Sequence, residues 1–338
     1  MIARPTRSDW LLLLALGVMW GTSYVWIKVA VQTLPTFTLI SARLAIGLAL
    51  LATVALVRRL ELPRNPRIYG HLFVMALINI VIPFTLITTA EQQVNSNLAA
   101  IINGSVPLFV VVLAGLFLHD EPLTANRLGG IVVGYLGVIV LVAPGLLASG
   151  ASGTISGELA LIGSTLAYAA GAVYARAKMR GVAPMVPALF QVAFAFVVIT
   201  VIAFATEQPF GASWPAETIF AIAWLGVFGS GLAYILNFRL LSRIGAGGTS
   251  VLAYLLPIVG IVSGFFVRNE PIDITIVLGT ALILAGIGLA SSKRGQRRIF
   301  GRPAPVAEEA ATVAVEAAPL PDRAANGSTP DRAEPDAS

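Results

Sequence analysis

The polar residues inside the apolar stretches of this chain are few, and their types limit what chemistry they can do. Arg43 falls about seven residues into an apolar run, roughly 10 Å at 1.5 Å per residue. Glu91 closes another run whose end lies in the same leaflet. A charge so placed is costly and is either paired or turned toward a cavity. Arg43 and Glu91 are therefore expected to form an ion pair, or Arg43 to attract a solute carboxylate in a vestibule. Lys28 ends the stretch WGTSYVWIKVA at 20–30. It either snorkels to the interface and complements the C-terminal end of its own helix, or meets an anionic solute group. Asn79 and Asn103 sit at depths where an amide needs a partner, supplied by a neighbouring helix or by a solute. Trp20, Tyr24, Tyr168, Tyr234 and Tyr254 lie well inside the runs, away from the interfacial belts where such rings collect. They are ordinary core, or a wall of ring faces with hydrogen-bonding tips that suits a small solute with apolar and polar parts. Pro107 and Pro257 interrupt two runs at matching places, as ordinary kinks or as a hinge.

Such residues need a scaffold built for lipid. Of 338 residues, 57% are hydrophobic and 12% charged, against about 25% charged in a soluble domain. Apolar runs fall near 10–31, 36–57, 69–89, 96–117, 126–143, 157–176, 187–206, 217–237, 246–267 and 273–291, most of them close to the roughly 20 residues that cross a bilayer core. They are continuous and not alternating, which excludes a membrane barrel. The expected fold class is an all-α membrane protein with ten transmembrane helices. Proline-bearing connections such as LPTF at 34–37 and NEPID at 269–273 punctuate the runs. Met1–Met19 resembles a signal peptide, but it lacks an A-x-A-type site and its apolar run continues, so a retained first span is expected. Beyond about Arg302 the chain is rich in Ala, Pro and Glu, and a disordered tail is expected there.

Basic residues give the direction of insertion. Arg4 and Arg7 precede the first run; Arg58, Arg59, Arg64 and Arg67 follow the second; Arg127 follows the fourth. Arg176, Lys178 and Arg180 follow the sixth, Arg239 and Arg243 the eighth, and Lys293, Arg294, Arg297 and Arg298 the tenth. If ten spans alternate, all these share one side, and only Lys28, Arg43 and Arg268 belong to the other. The positive-inside bias places both termini in the cytoplasm. It also accounts for the net charge of +5 without nucleic acid as a partner.

Several chemistries are missing. Cysteine is absent, and two histidines, His71 and His119, are too few for a histidine metal site. There is no H-E-x-x-H, no G-x-S-x-G and no Walker A loop, so neither an enzyme nor a bound cofactor is expected. No acid falls near the middle of a run; proton-coupled carriers generally keep one on the path, so passive facilitation or exchange is the expectation. No basic cluster occupies mid-membrane either, which argues against phosphate esters and nucleotide sugars. The expected partners are a small-molecule solute and the lipid bilayer, with the chain a monomer or homodimer.

The opening stretch has an echo. YAAGAVYARAK at 168–178 lies on WGTSYVWIKVA at an offset of 148, and Arg43 then meets Gln191. At an offset of 150, VNSNLAAIINGSVP meets IGAGGTSVLAYLLP and Pro107 meets Pro257; after a one-residue deletion Glu121-Pro122 meets Glu270-Pro271. The chain divides accordingly into a cytoplasmic N-terminus at 1–9, a first five-helix repeat at 10–143 and an extracytoplasmic linker at 144–156. A second repeat at 157–291 and a basic, then disordered, cytoplasmic tail at 292–338 complete it. Five is odd, so the second copy enters the membrane inverted, a device of secondary transporters whose solute site lies near the midplane.

The pattern W-G-x-S-Y-x-x-x-K on the first run, an arginine in the second, Glu-Pro after the fourth and ninth, and two five-helix copies resemble the EamA branch of the drug/metabolite transporter superfamily, over roughly 10–291. The resemblance implies a ten-helix bundle in the bacterial inner membrane that moves small metabolites and often exports amino acids. Gln191 departs from a cation at the position matching Arg43, so an arginine role carries to the first half only. The leading expectation is thus a carrier of amino acids or similar amphiphilic solutes working by alternating access. The alternative is a channel or a non-transporting membrane subunit.

Overall fold

The computed structural model of the chain describes residues 6–118, 123–147, 152–179, 181–249, 251–292 and 298–300. The expected tail beyond Arg302 and the Glu121-Pro122 pair lie outside them.

Ten helices follow one another. The first half holds α1 (Arg7–Ala30, interrupted at Thr22), α2 (Thr36–Val57), α3 (Pro66–Ala90), α4 (Ser96–Phe117, interrupted at Ser105) and α5 (Ala125–Leu147). The second holds α6 (Ser152–Lys178), α7 (Met185–Thr206), α8 (from Ala216 to Thr249), α9 (Leu252–Arg268) and α10 (Ile274–Ser291). Among the described residues, nine helices are long and apolar enough to cross a membrane, and Leu252–Arg268 is a shorter apolar helix. The only strands described, β1 (Leu123–Thr124) and β2 (Arg298–Phe300), form a short antiparallel pair. The chain is an all-α membrane protein.

Local chemistry marks the helix ends. Thr6 and Asp9 form a capping box at α1, Asn65 caps α3 ahead of Pro66, and Asp273 accepts from the Ile276 amide at α10. The separation expected between the eighth and ninth runs is replaced by helix as far as Thr249. Leu240 and Ile244 explain it, since they pack with Leu13 and Leu16 of α1 and reward the extra turns with burial. Arg243 on the same extension reaches Asp9, Nε to Oδ1 at 3.4 Å.

The packing repeats itself. α5 lies on α10, α2 on α7 and α4 on α9; α2 also meets α8 as α7 meets α3, α1 meets α9 as α6 meets α4, and α3 meets α6 as α8 meets α1. Replacing each helix by the one five places on returns the same pairs. On one face, the ends of α1 and α3 gather with the starts of α2, α4, α6 and α8, joined by Thr33–Thr218 (2.7 Å) and Ser156–Gln93 (2.6 Å). On the other, the start of α3 meets the end of α6 through His71 Nδ1 and Tyr174 Oη, 2.7 Å apart. The interior is lined by fully buried Leu39, Ile40, Leu44, Ile80, Ile101 and Leu161, while Leu56, Val57, Phe117, Val201 and Phe266 stand exposed on the outside. An apolar exterior is what a lipid-facing bundle requires.

Small residues let the helices close, as they do generally in membranes. A Cβ at Gly130 would fall against the backbone of Gly286 and Ala290 on α10. Gly130→Val should therefore destabilise the protein by about 1–3 kcal/mol, read as a lowered melting temperature in detergent. Gly70→Ala, where a Cβ meets nothing within 4 Å, should leave it unchanged; equal melting of the two would remove the packing account. Hydrogen bonds from the Thr275 hydroxyl and the Ile276 amide hold the Asp273 carboxyl below its ordinary value of 3.8. A depressed acid stabilises above its unfolded pKa and loses that effect as pH falls through the folded one. The melting difference between wild type and Asp273→Ala should accordingly be present at neutral pH and vanish on strong acidification.

Candidate functional site

Arg43 on α2 is almost fully buried, and α8 is shaped around it. Between Leu225 and Leu232, in the sequence LGVFGSGL, α8 widens into a π-helical segment, a winding that is rare and frequently found at functional sites. Its glycines allow the approach. A Cβ at Gly229 would stand 3.1 Å from Arg43 Nη2 and 3.0 Å from Ser23 Oγ. Arg43 Nε donates to Ser230 Oγ at 3.1 Å, and the guanidinium carbon lies 4.4 Å from the centre of the Phe84 ring.

Aromatic groups close in from both halves. Trp20 Nε1 donates to the Gly229 carbonyl at 3.2 Å and meets Tyr234 edge to face, 6.3 Å between centroids. Tyr24, Tyr168 and Tyr234 all lie near enough to Arg43 to act on its charge. The structure thus brings together Trp20, Tyr24, Tyr168, Tyr234 and Arg43, with Ser23, Phe84, Gly229 and Ser230 as further members.

The second half carries a counterpart. Asn79 stands in a π-helical segment of α3, Leu77–Val81, and its Nδ2 donates to Gln191 Oε1 on α7 at 2.9 Å, against Gly171 of α6. The two π segments begin 148 residues apart, at Leu77 and Leu225, the spacing that separates Arg43 from Gln191. Arg43 and Gln191 thus stand at matching positions, each bonded to a side chain of a distorted helix in the other half, one charged and one neutral, although Ser230 and Asn79 are three residues out of register.

Other expectations are redirected. No ion pair joins Arg43 to Glu91, whose carboxylate oxygens have no hydrogen-bond partner. The reason is distance along α3: Arg43 stacks on Phe84, seven residues and about 10 Å before Glu91. Lys28 does not serve its own helix end; Nζ donates to the carbonyls of Glu91 at 2.6 Å and Val94 at 2.8 Å, where α3 finishes. Asn103 is satisfied by helices, donating to Ala99 O at 3.1 Å and accepting from Ser164 Oγ of α6 at 2.9 Å. Tyr254 packs toward α10 near Gly288, apart from the Arg43 group. Pro107 opens the second segment of α4 just after its break, whereas α9 runs unbroken through Pro257, whose ring sits against Gly104.

Two acids read from sequence as helix-end or loop residues, or not singled out at all, prove to be caps. Glu270 accepts from the Ser96 amide and hydroxyl and the Asn97 amide, each at 2.9 Å, at the start of α4. Glu207 does the same for α2 through Phe37 N at 3.0 Å and Thr38 N and Oγ at 2.7 Å. A carboxylate at a helix start meets free amides and the positive end of the dipole.

The chain matches the EamA-like transporter family twice, over residues 8–143 and 155–292. It belongs to that family. Among its relatives is YvbV of Bacillus subtilis, called an uncharacterized transporter, 28% identical over 86% of this chain and 93% of its own. YedA of Escherichia coli K12, called an uncharacterized inner membrane transporter, is 29% identical over 77% of this chain and 83% of its own. A solved crystal structure shares the fold with a TM-score of 0.63 at 21% identity, over 85% of this chain and 97% of that one. This EamA-like protein is a membrane transporter and not an enzyme.

Removing one partner of a buried amide pair strands the other. Gln191→Leu should lower stability by about 1–3 kcal/mol, and the double variant Asn79→Leu/Gln191→Leu should recover part of the loss. Thermal melting in detergent checks both; strictly additive losses would mean that the amides do not couple.

Proposed function

We propose that this EamA-like transporter carries amino acids, or amphiphilic solutes with the same carboxylate, across the bacterial inner membrane, with export the favoured direction. The single observation behind this reading is the state of Arg43. Among the described residues its guanidinium makes one hydrogen bond, from Nε to Ser230. The Nη donors remain, and a planar guanidinium fork fits a carboxylate with two parallel bonds. The Trp20, Tyr24, Tyr168 and Tyr234 rings beside it offer apolar faces for the rest of such a solute. Gln191, at the position matching Arg43, is satisfied by Asn79, so only the Arg43 side offers a cation to an anion.

Alternating access between residues 10–143 and 157–291 is the proposed mechanism. It draws support from the pair-for-pair packing of helices five places apart, and from the end of α1 lying on the same face as the start of α6. The second fact supports two halves of opposite sense, which would let each do on its own side what the other does on its own. Cytoplasmic termini are the proposed orientation, supported by the basic residues that follow α2, α6 and α8. A channel fits less well, because the buried polar groups form separate pairs and not a continuous lining.

The experiment is counterflow of radiolabelled amino acids into proteoliposomes. Arg43→Gln, which copies the residue at the matching place, should lower flux about tenfold or more, the worth of a charge-assisted hydrogen bond. Unchanged flux in the variant would remove Arg43 from the site, and no counterflow with any amino acid would remove the solute class.

A further inference from the structure

Among the described residues, Glu91 alone has two buried side-chain oxygens without a partner. It ends α3 with no exposed surface, and neither carboxylate oxygen has a hydrogen-bond partner. The charged and titratable groups facing it are Lys28 and Tyr24 from α1, Arg43 from α2 and Glu270 from the segment after α9. None of the three charged groups hydrogen-bonds the Glu91 carboxylate. The Lys28 ammonium is held by main-chain carbonyls, including that of Glu91 itself. Arg43 bonds Ser230, and Glu270 is spent on the start of α4.

An ionised carboxylate loses its hydration here and gains no hydrogen bond, a cost of several kcal/mol, whereas the neutral acid loses far less. Packing alone would be served as well by glutamine or leucine. A cavity of about 320 Å³ is lined by Gln93, Val94, Asn95 and Asn97, two to six residues further along the chain, together with Glu158 and Asp273; Glu91 itself does not line it. Val94 is also one of the two carbonyls that hold Lys28.

We propose that Glu91 is the proton-carrying acid of the transport cycle. In the conformation described it is the carboxylic acid. When the helix ends around it part, it releases its proton to water through the neighbouring cavity, and Lys28 leaves the carbonyls to face the carboxylate. The coupling then comes from a side chain at a helix end, and the expectation of passive facilitation or exchange, which rested on the lack of a mid-span acid, is replaced. Burial and not depth along the helix is what makes the group protonatable. The inference rests on the proposed function only for the choice of solute used as probe.

Two measurements on the full-length protein in liposomes test it. The infrared difference spectrum of wild type minus Glu91→Gln, both at neutral pH where solvent-exposed carboxyls are ionised, should contain the carbonyl stretch of a protonated carboxylic acid. With an amino acid that the wild type exchanges by counterflow, a pH gradient should drive net accumulation. Glu91→Gln should keep counterflow and lose that accumulation, and Glu91→Asp should restore part of it. A difference spectrum lacking that band, or accumulation indifferent to pH or to the substitution, would overturn the assignment. Should no amino acid be carried, the proposed solute fails while the infrared result still decides the state of Glu91.

Discussion

The guanidinium of Arg43 stays inside a lipid-spanning bundle because α8 gives up its regular winding around it. Hydrocarbon supplies no partner for a polar group, so each must find one within the protein. The π segment from Leu225 to Leu232 provides this with a hydroxyl at Ser230, a carbonyl at Gly229 that holds Trp20, and glycines that let two helices approach. A regular helix with ordinary side chains there would press Ile46 and Leu50 outward and close the space that Arg43 and Ser23 occupy. The aromatic group, the half-free cation and the meeting of both halves all follow from that local expansion.

The same distortion recurs in α3, where it holds Asn79 against Gln191. Two halves that share an architecture have thus diverged in charge at one matched pair of positions. A neutral amide pair is self-sufficient, while a cation with one hydroxyl for a partner is not.

Much of this was legible in the sequence, for physical reasons. Apolar runs of bilayer length, the offset that lays Arg43 on Gln191, and the depth of Arg43 are one-dimensional facts, and the helices appear within a few residues of their expected places. What depended on three dimensions was not legible. Glu91 looks interfacial because it ends a helix, but it is fully buried, with Lys28 of α1 bonded to its own carbonyl. Asn103 looks available because nothing in the chain announces that Ser164, sixty-one residues on, will bond it. Nor does a sequence show a π segment directly, although three glycines and a serine crowded into LGVFGSGL were the available signal. The extension of α8 to Thr249 was missed because its stretch is mixed in polarity, and only the apolar face of α1 gives those turns a reason to persist.

Glu207 and Glu270 come from the second half, yet each grips the first turn of a helix belonging to the first half. They act as two clasps on one rim of the bundle, each fastened by three hydrogen bonds to backbone amides and hydroxyls. Rocking the halves apart at that rim must unfasten both clasps and leave two helix starts bare. Water reaching the freed amides and carboxylates meets most of that cost. The rim thus joins contacts that yield to hydration with buried apolar side chains such as Leu34 and Val94.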